Sequence, residues 1–383
     1  MKICAIICEY NPFHNGHLYQ LREAKRLSGA DALLCIMSGN FVQRGEAAIL
    51  DKYTRAKHAV MAGADVVIEL PTIFATSNAE LFAKGAIHLL ASIPEVTTLC
   101  FGCETANKTA FKLAAKYLND EPKEVSDKIK ELAASGVSYA KARAQAWAGY
   151  IPMDMLCSPN NILGLEYTRA IFAENANIDI LPIERVGGNY NDQSLLENFS
   201  SASAIRAALQ EQADVSHNVP TFVAKDLPAA IEERLDCLEK YAILSRDKSE
   251  IANVCDCTEG LENALKKAAL QEATLHETLT SARYTASRIR RIALQNLLKI
   301  DENFIRDCLQ VDLYLHVLAI KKERSDLLSV LGKANSPLVI RAHDEKALNE
   351  TAKSCFERDL FAENVYDLLF PKKNKDKNLF IIQ

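Results

Sequence analysis

Five short runs in the first half of the chain are apolar on both faces: Ile3–Cys8, 32–37, Val66–Leu70, 98–101 and 178–183. A strand with one solvated face alternates apolar and polar residues, whereas a strand covered by helices on both sides has no polar face to keep. Between the runs lie stretches of helical spacing at 17–27, 54–62 and 77–90. The last opens with Ser77-Asn78-Ala79-Glu80, which predicts a capping box in which Ser77 and Glu80 satisfy free backbone donors. Strands and helices alternate, so the chain is expected to form an α/β fold with an open, doubly wound parallel sheet. Such sheets hold ligands beyond the carboxyl ends of their strands.

The pattern then changes. Residues 107–148 are almost wholly helical and read as an insertion before the fifth strand. Beyond Pro220 come charged helical stretches at 229–244, 260–272 and 287–298, a short apolar run at 313–319 that can form a strand, a helical end at 364–370 and a lysine-bearing tail at 371–377. At ~150 residues per domain, 383 residues allow two or three domains. The expected division is a sheet domain, 1–215, with its helical insertion at about 107–150, and a mostly α-helical domain, 216–383.

Forty-five basic against 50 acidic residues leave a net charge of −5, so bulk charge does not draw this chain to nucleic acid. An RNA contact requires a local patch. Residues 280–300 supply a candidate, with Arg283, Arg288, Arg290, Arg291 and Lys299, no acidic residue, and Tyr284 as a base-stacking partner. An ordinary solvated basic helix face fits the same residues. No run approaches the ~18 apolar residues of a membrane span, no secretion signal is visible at the start, and the 11 cysteines form no framework. A reducing cytoplasm is the expected compartment, with no membrane partner. Nothing in the sequence specifies an oligomeric state.

The segment richest in chemistry is Glu9-Tyr10-Asn11-Pro12-Phe13-His14-Asn15-Gly16-His17, where the first strand gives way to the first helix. Imidazole N–H groups can bond phosphate oxygens, and the helix start adds free backbone N–H groups with their partial positive charge. Donors of this kind stabilise charge that grows during attack at an α-phosphate. With 8 His and 14 Gly, H-x-G-H arises by chance about 0.006 times in a chain of this length, which favours a ligand site over two unconnected turn histidines.

His14-x-Gly16-His17 resembles the H-x-G-H signature of the nucleotidyltransferase superfamily. Together with Ser38-Gly39-Asn40-Phe41-Val42-Gln43-Arg44-Gly45-Glu46, Phe101-Gly102-Cys103-Glu104 and Ser158-Pro159-Asn160-Asn161-Ile162-Leu163-Gly164, the segment from Cys8 to His17 resembles the bacterial tRNA(Met) cytidine acetate ligase family. The resemblance implies a Rossmann-like fold and an ATP-dependent enzyme that forms acetyl-adenylate and N4-acetylates the wobble cytidine of elongator tRNA(Met). Its partners would be acetate, ATP and that tRNA, with Mg2+ on the ATP phosphates and no metal site in the protein.

The resemblance further implies His14 and His17 as catalytic residues. It implies an ATP site formed by Ile7, Cys8, Glu9, Tyr10, Asn11, Pro12, Phe13, His14, Asn15, Gly16, His17, Leu18, Tyr19 and Gln20, with Gly102, Asn160 and Arg185. The residue types suit nucleotide binding, since Gly102 leaves room for a nucleotide, Asn160 can bond a base or ribose edge, and Arg185 carries a permanent charge with bidentate geometry. Each is also compatible with a turn glycine, a helix cap or a surface arginine. The stretch from Ser200 to Arg206 resembles the second phosphate-gripping helix start of nucleotidyltransferases, implicating Ser203 and Arg206, although a plain serine cap accounts for the serines too. The long connection 39–55 carries Arg44, Lys52 and Arg55. It is expected either to cover the nucleotide or to meet RNA, with Lys52 and Arg55 joining Arg283, Arg288, Arg290 and Arg291 as tRNA contacts, unless it is an ordinary solvated loop.

Other chemistries lack their patterns. There is no Walker loop, G-x-S-x-G, H-E-x-x-H or G-x-G-x-x-G, and Cys100-x-x-Cys103 is half a zinc site without its complement. Cys103 is expected near the nucleotide. Two other functions fit the same residues: a nucleotidyltransferase that adenylylates a small phosphorylated metabolite, and a noncatalytic RNA-binding factor with a vestigial nucleotide fold. Whether acetate or a phosphate ester triggers pyrophosphate release separates the first from an acetate ligase, and ATP turnover separates the second.

Overall fold

Strands without a polar face can be satisfied only in the middle of a sheet, with helices against both sides. The computed structural model, which describes residues 1–137, 139–186, 199–228, 234–370 and 380–382, places them there. Its strands are β1 (Ile3–Cys8), β2 (Ala32–Ser38), β3 (Phe41–Val42), β4 (Glu46–Ala47), β5 (Val66–Leu70), β6 (Val96–Cys103), β7 (Asp179–Glu184), β8 (Leu315–Lys321), β9 (Leu338–Val339) and β10 (Phe380–Ile382). The order β5-β2-β1-β6-β7 is parallel throughout. The order reverses at β1 and β6, so the ligand crevice lies beyond Cys8 and Cys103. Residues of β1 alternate between two cores, Ile3, Ala5 and Ile7 on one face and Cys4, Ile6 and Cys8 on the other. Truncating a side chain as buried as Ile6 costs roughly 2–5 kcal/mol.

The insertion forms helices Lys108–Asn119, Lys123–Ala134 and Tyr139–Trp147, as its spacing predicts. The helix expected from residue 77 starts instead at Ala79. Asn78 is its cap, accepting the Leu81 N–H at 3.0 Å, while the Ser77 hydroxyl turns back to the Ile73 carbonyl at 2.6 Å. Asn and Ser cap about equally well, and the Ser77 hydroxyl is better used closing the preceding turn.

The division at residue 215 is revised by the topology. Helices from Leu235–Ser245 to Ala286–Leu297 share their own core of Ile243, Leu261, Leu265, Ile289 and Ile292. From Leu294 onward the chain rejoins the main core. There β8 adds antiparallel to β5, with β9 and β10 parallel to β8. What reads as one helical C-terminal domain is therefore a helical module followed by a segment that completes the sheet. Helix Glu350–Leu369 also returns to the sheet domain: Tyr366 Oη donates to the Ala48 carbonyl at 2.7 Å, and Asp359 accepts the Thr72 N–H at 2.7 Å. The lysine-bearing stretch 371–377 and residues 229–233 of the expected helix 229–244 lie outside the described residues.

Candidate active site

The loop leaving β1 packs its histidines in a way set by the helix that follows. His14 is the N-cap of helix Asn15–Ser28; its Nδ1 accepts the Gly16 N–H at 3.0 Å, and its own N–H reaches Nδ1 of His17 at 3.3 Å. Two imidazoles thus perform the reciprocal capping usually left to Ser and Glu. The rings stack with centroids 3.6 Å apart. A Cβ at Gly16 would lie 2.9 Å from the His14 ring, so only glycine admits this arrangement. Phe13 and Tyr10 wedge against His17 at centroid distances of 5.5 and 4.8 Å.

The electrostatic result is specific. Burial, reinforced by the Arg185 charge, lowers the His14 pKa to about 3, and burial together with His14 and Arg185 holds His17 well below its ordinary value. Both rings are neutral at pH 7. Because each Nδ1 accepts a backbone N–H, each ring proton sits on Nε2. The pair therefore offers two preorganised, uncharged N–H donors at the mouth of the sheet.

These donors border an open cleft. The structure brings together in it Ile7, Cys8, Glu9, Tyr10, Asn11, His14, His17 and Gln20 from the first loop, Gly102 from the end of β6, and Asn160, Arg185, Ser203 and Arg206 from much further along the chain. Gly16 and Tyr19 line an adjoining recess. Pro12, Phe13, Asn15 and Leu18 do not line the cleft; Phe13 is fully buried, and the Asn15 amide ties the loop to the His217 carbonyl at 2.8 Å. The Asn160 amide donates to Glu104 Oε1 at 2.7 Å, and the Glu104 carboxylate also takes the Asn161 N–H at 2.8 Å, fixing the start of helix Pro159–Ala173. Ser203 stands in the first turn of helix Ala202–Gln210, whose cap is Ser201, bonded to the Ala204 N–H at 3.1 Å. Arg206 reaches the Asn11 carbonyl at 2.9 Å and Glu46 at 3.4 Å.

Gln43, Arg44, Phe82, Phe101, Leu163, Tyr167 and Ser201 also line the cleft. Phe101 and Tyr167, packed edge to face with centroids 5.9 Å apart, form the aromatic wall of the cleft. Phe101 adjoins Gly102, and Gln43 and Arg44 fall inside the motif that begins at Ser38; those positions were the available signal. Cys103 does not reach the cleft. It is fully buried, its Sγ faces the Ile183 carbonyl, and burial pushes its thiol up to about 12.

Two expected RNA contacts are corrected. Lys52 is 1% exposed and pairs with Glu69 at 2.9 Å and Glu363 at 3.1 Å. Arg55 is fully buried, donating to the carbonyls of Leu50, Glu9, Ser38 and Gly39. The connection 39–55 is not a solvated loop. Its β3–β4 hairpin and the start of helix Lys52–Met61 turn both cations inward, Arg55 onto the ends of β1 and β2 and Lys52 onto Glu69 of β5.

The arginines of helix Ala286–Leu297 do not share one outer face either. Arg288 is engaged by the Asp256 carbonyl at 2.7 Å, Arg290 by Glu46 at 2.6 Å, and Arg291 lies 3.9 Å from Asp256. Gly45, at φ +74°, lets this helix approach: a Cβ there would sit 2.5 Å from the Arg291 nitrogen. Arg283 is the outward one, 65% exposed beside Glu259.

A crevice at the point where strand order reverses, with paired imidazoles capping the first helix, defines a nucleotide-binding site of the nucleotidyltransferase class. The family model described as HIGH Nucleotidyl Transferase matches residues 1–379. The chain belongs to the HIGH nucleotidyltransferases and, within them, to the tRNA(Met) cytidine acetate ligase family. It is 37% identical to the tRNA(Met) cytidine acetate ligase of Caldanaerobacter subterraneus subsp. tengcongensis, with 97% of this chain and 96% of that one covered. It is 33% identical to the enzyme of the same name from Thermosipho africanus, over 99% and 97%. Among solved structures it is similar to Thermotoga maritima TmcAL, in the apo form (TM-score 0.91, 28% identity) and bound with alpha-thio ATP (TM-score 0.89, 29% identity), each over 100% of both chains. Among the described residues no helix is long and apolar enough to cross a membrane.

Proposed function

We propose that this chain is a cytoplasmic ATP-dependent acetate ligase that forms acetyl-adenylate and transfers the acetyl group to N4 of the wobble cytidine in elongator tRNA(Met). The observation that carries the reading is the pair of neutral, stacked imidazoles with Nε2–H donors at the cleft. Acetate attacks the α-phosphorus of ATP and pyrophosphate leaves. Charge grows on the non-bridging oxygens, and donors already in place cost no reorganisation as it does. Neutral imidazoles serve here because they donate to phosphate oxygens without surrendering a proton to the attacking carboxylate.

Arg185, Ser203 and Arg206 hold the phosphates, and Asn160 with the Phe101–Tyr167 wall holds adenine and ribose. Among the described residues no cluster of three His, Cys, Asp or Glu stands ready for a resident metal. Mg2+ on the ATP phosphates would be part of the substrate. In the second step the cytidine amine attacks the acetyl carbonyl and AMP leaves. Arg283, beside Tyr284, is the residue offered to the RNA backbone.

The test is mass spectrometry of methionine tRNA incubated with the protein, ATP and acetate. A gain of one acetyl group on a single cytidine is expected. Pyrophosphate release triggered by a phosphate ester but not by acetate would overturn the reading.

A further inference from the structure

The two ends of the cleft differ. Gly102 and Arg185 line the recess shared with the imidazoles, while Gln43 and Arg206 lie beside Glu9. From Ser203 and Arg206 a second cavity opens toward His276 and Arg290 of the helical module. Glu9 therefore stands on the side from which a macromolecular acceptor can reach an adenylate held by the histidines.

Glu9 is fixed there by its neighbours. Its Oε1 accepts the Gln43 N–H at 2.8 Å, and its main-chain carbonyl takes Arg55 Nη1 at 2.5 Å. Among the described residues no hydrogen bond engages Oε2.

Acyl transfer from an adenylate to an exocyclic amine must dispose of a proton as the N–C bond forms. Other groups at the cleft are poor acceptors for it. The imidazoles engage Nδ1 with backbone N–H and are held far below neutrality in pKa, and burial pushes the Cys8 thiol and Tyr10 phenol well up. The arginines are permanent cations. Glu9 is the one carboxylate lining the cleft among the described residues.

We propose that Glu9 is the proton acceptor of the acyl-transfer step, its Oε2 taking the proton that the cytidine amine loses. The inference rests on the function proposed above. The amine lone pair forms the N–C bond, the bond from the acyl carbon to the phosphate oxygen breaks with its electron pair leaving on AMP, and one N–H proton passes to Glu9, which returns it to solvent. Glu9 touches the substrate in this step and is thus catalytic in the strict sense. The charged groups facing it are Arg55 from helix Lys52–Met61, Arg206 from helix Ala202–Gln210 and Glu46 from β4. Burial raises its pKa above the ordinary carboxylate value, against the lowering pull of the Gln43 N–H and the two arginines. A raised pKa makes the carboxylate a stronger base near neutrality.

Glu9→Gln keeps an oxygen for the Gln43 N–H and removes the base. Acetate-dependent ATP–pyrophosphate exchange, which uses the same cleft, should fall much less than transfer does. Single-turnover transfer from supplied acetyl-adenylate to methionine tRNA should fall roughly 100-fold or more. Wild-type transfer should decline on acidification above the usual carboxylate range, and the variant should lose that limb. Equal loss of exchange and transfer, or unchanged transfer with an unchanged pH profile, overturns the role of Glu9 while leaving the function standing. Wild-type protein that acetylates no tRNA overturns both.

Discussion

The neutrality of His14 can be tested without any substrate. His14 is 4% exposed, and its pKa falls from 6.5 to about 3 through burial and then Arg185. Its folded pKa lies below its unfolded one, so the unfolded chain takes up the proton first. Stability linked to His14 is fully present above pH 6.5 and is lost progressively as pH falls from there toward the folded value. At pH 5 the folded state withholds a proton that the unfolded state binds about 1.5 units more favourably, about 2 kcal/mol at roughly 1.36 kcal/mol per unit. His14→Asn removes this titration yet preserves the cap, because Asn is a favoured N-cap whose oxygen can take the helix N–H. Urea unfolding at pH 7 and pH 5 should therefore show wild type losing about 2 kcal/mol more than the variant. The same substitution deletes one Nε2–H donor and should slow acetate-dependent exchange roughly 10²–10³-fold. Equal acid sensitivity of the two proteins, or a His14 ring resonance titrating near its ordinary value, would refute the neutral-donor argument.

Lys52→Met leaves Glu69 and Glu363 buried without their cation and should cost about 3–5 kcal/mol in chemical denaturation. Methionine tRNA affinity of the folded variant should not change, and a tenfold weaker affinity at unaltered stability would restore Lys52 to the RNA interface. Gly45→Ala forces a Cβ against the Arg291 nitrogen and should lower stability by about 1–3 kcal/mol; an unchanged thermal midpoint would mean that the helix yields freely. Arg283→Glu should weaken tRNA binding and flatten its salt dependence by about one unit of slope or more while sparing exchange, and an unaltered slope removes this residue from the interface.

What was legible in the sequence was local. Both-face apolar runs mark buried parallel strands because no polar side chain has to be accommodated, and H-x-G-H marks a ligand loop because its residues act within one turn. The members of the cleft that are distant in sequence, Gly102, Asn160, Arg185, Ser203 and Arg206, were reached through motif resemblance, and the structure brings all five to one place. Lys52 and Arg55 were misplaced for a definite reason. Charged side chains belong on the surface unless partnered, and the partners Glu69 and Glu363 lie 17 and 311 residues from Lys52 in sequence, where spacing carries no information. The return of β8 to the sheet was equally hidden: a seven-residue apolar strand after a run of helices does not announce an antiparallel partner some 250 residues earlier.

That return has a consequence for synthesis on the ribosome. The segment that steadies residues 48–52 comes from Glu363 and Tyr366, near the end of helix Glu350–Leu369, while the histidine loop emerges within the first twenty residues. A nascent chain can carry the whole signature and the entire helical module and still lack the buttress beneath its own nucleotide cleft. These contacts to residues 48–52 thus form only after the module proposed to engage the acceptor has already been made.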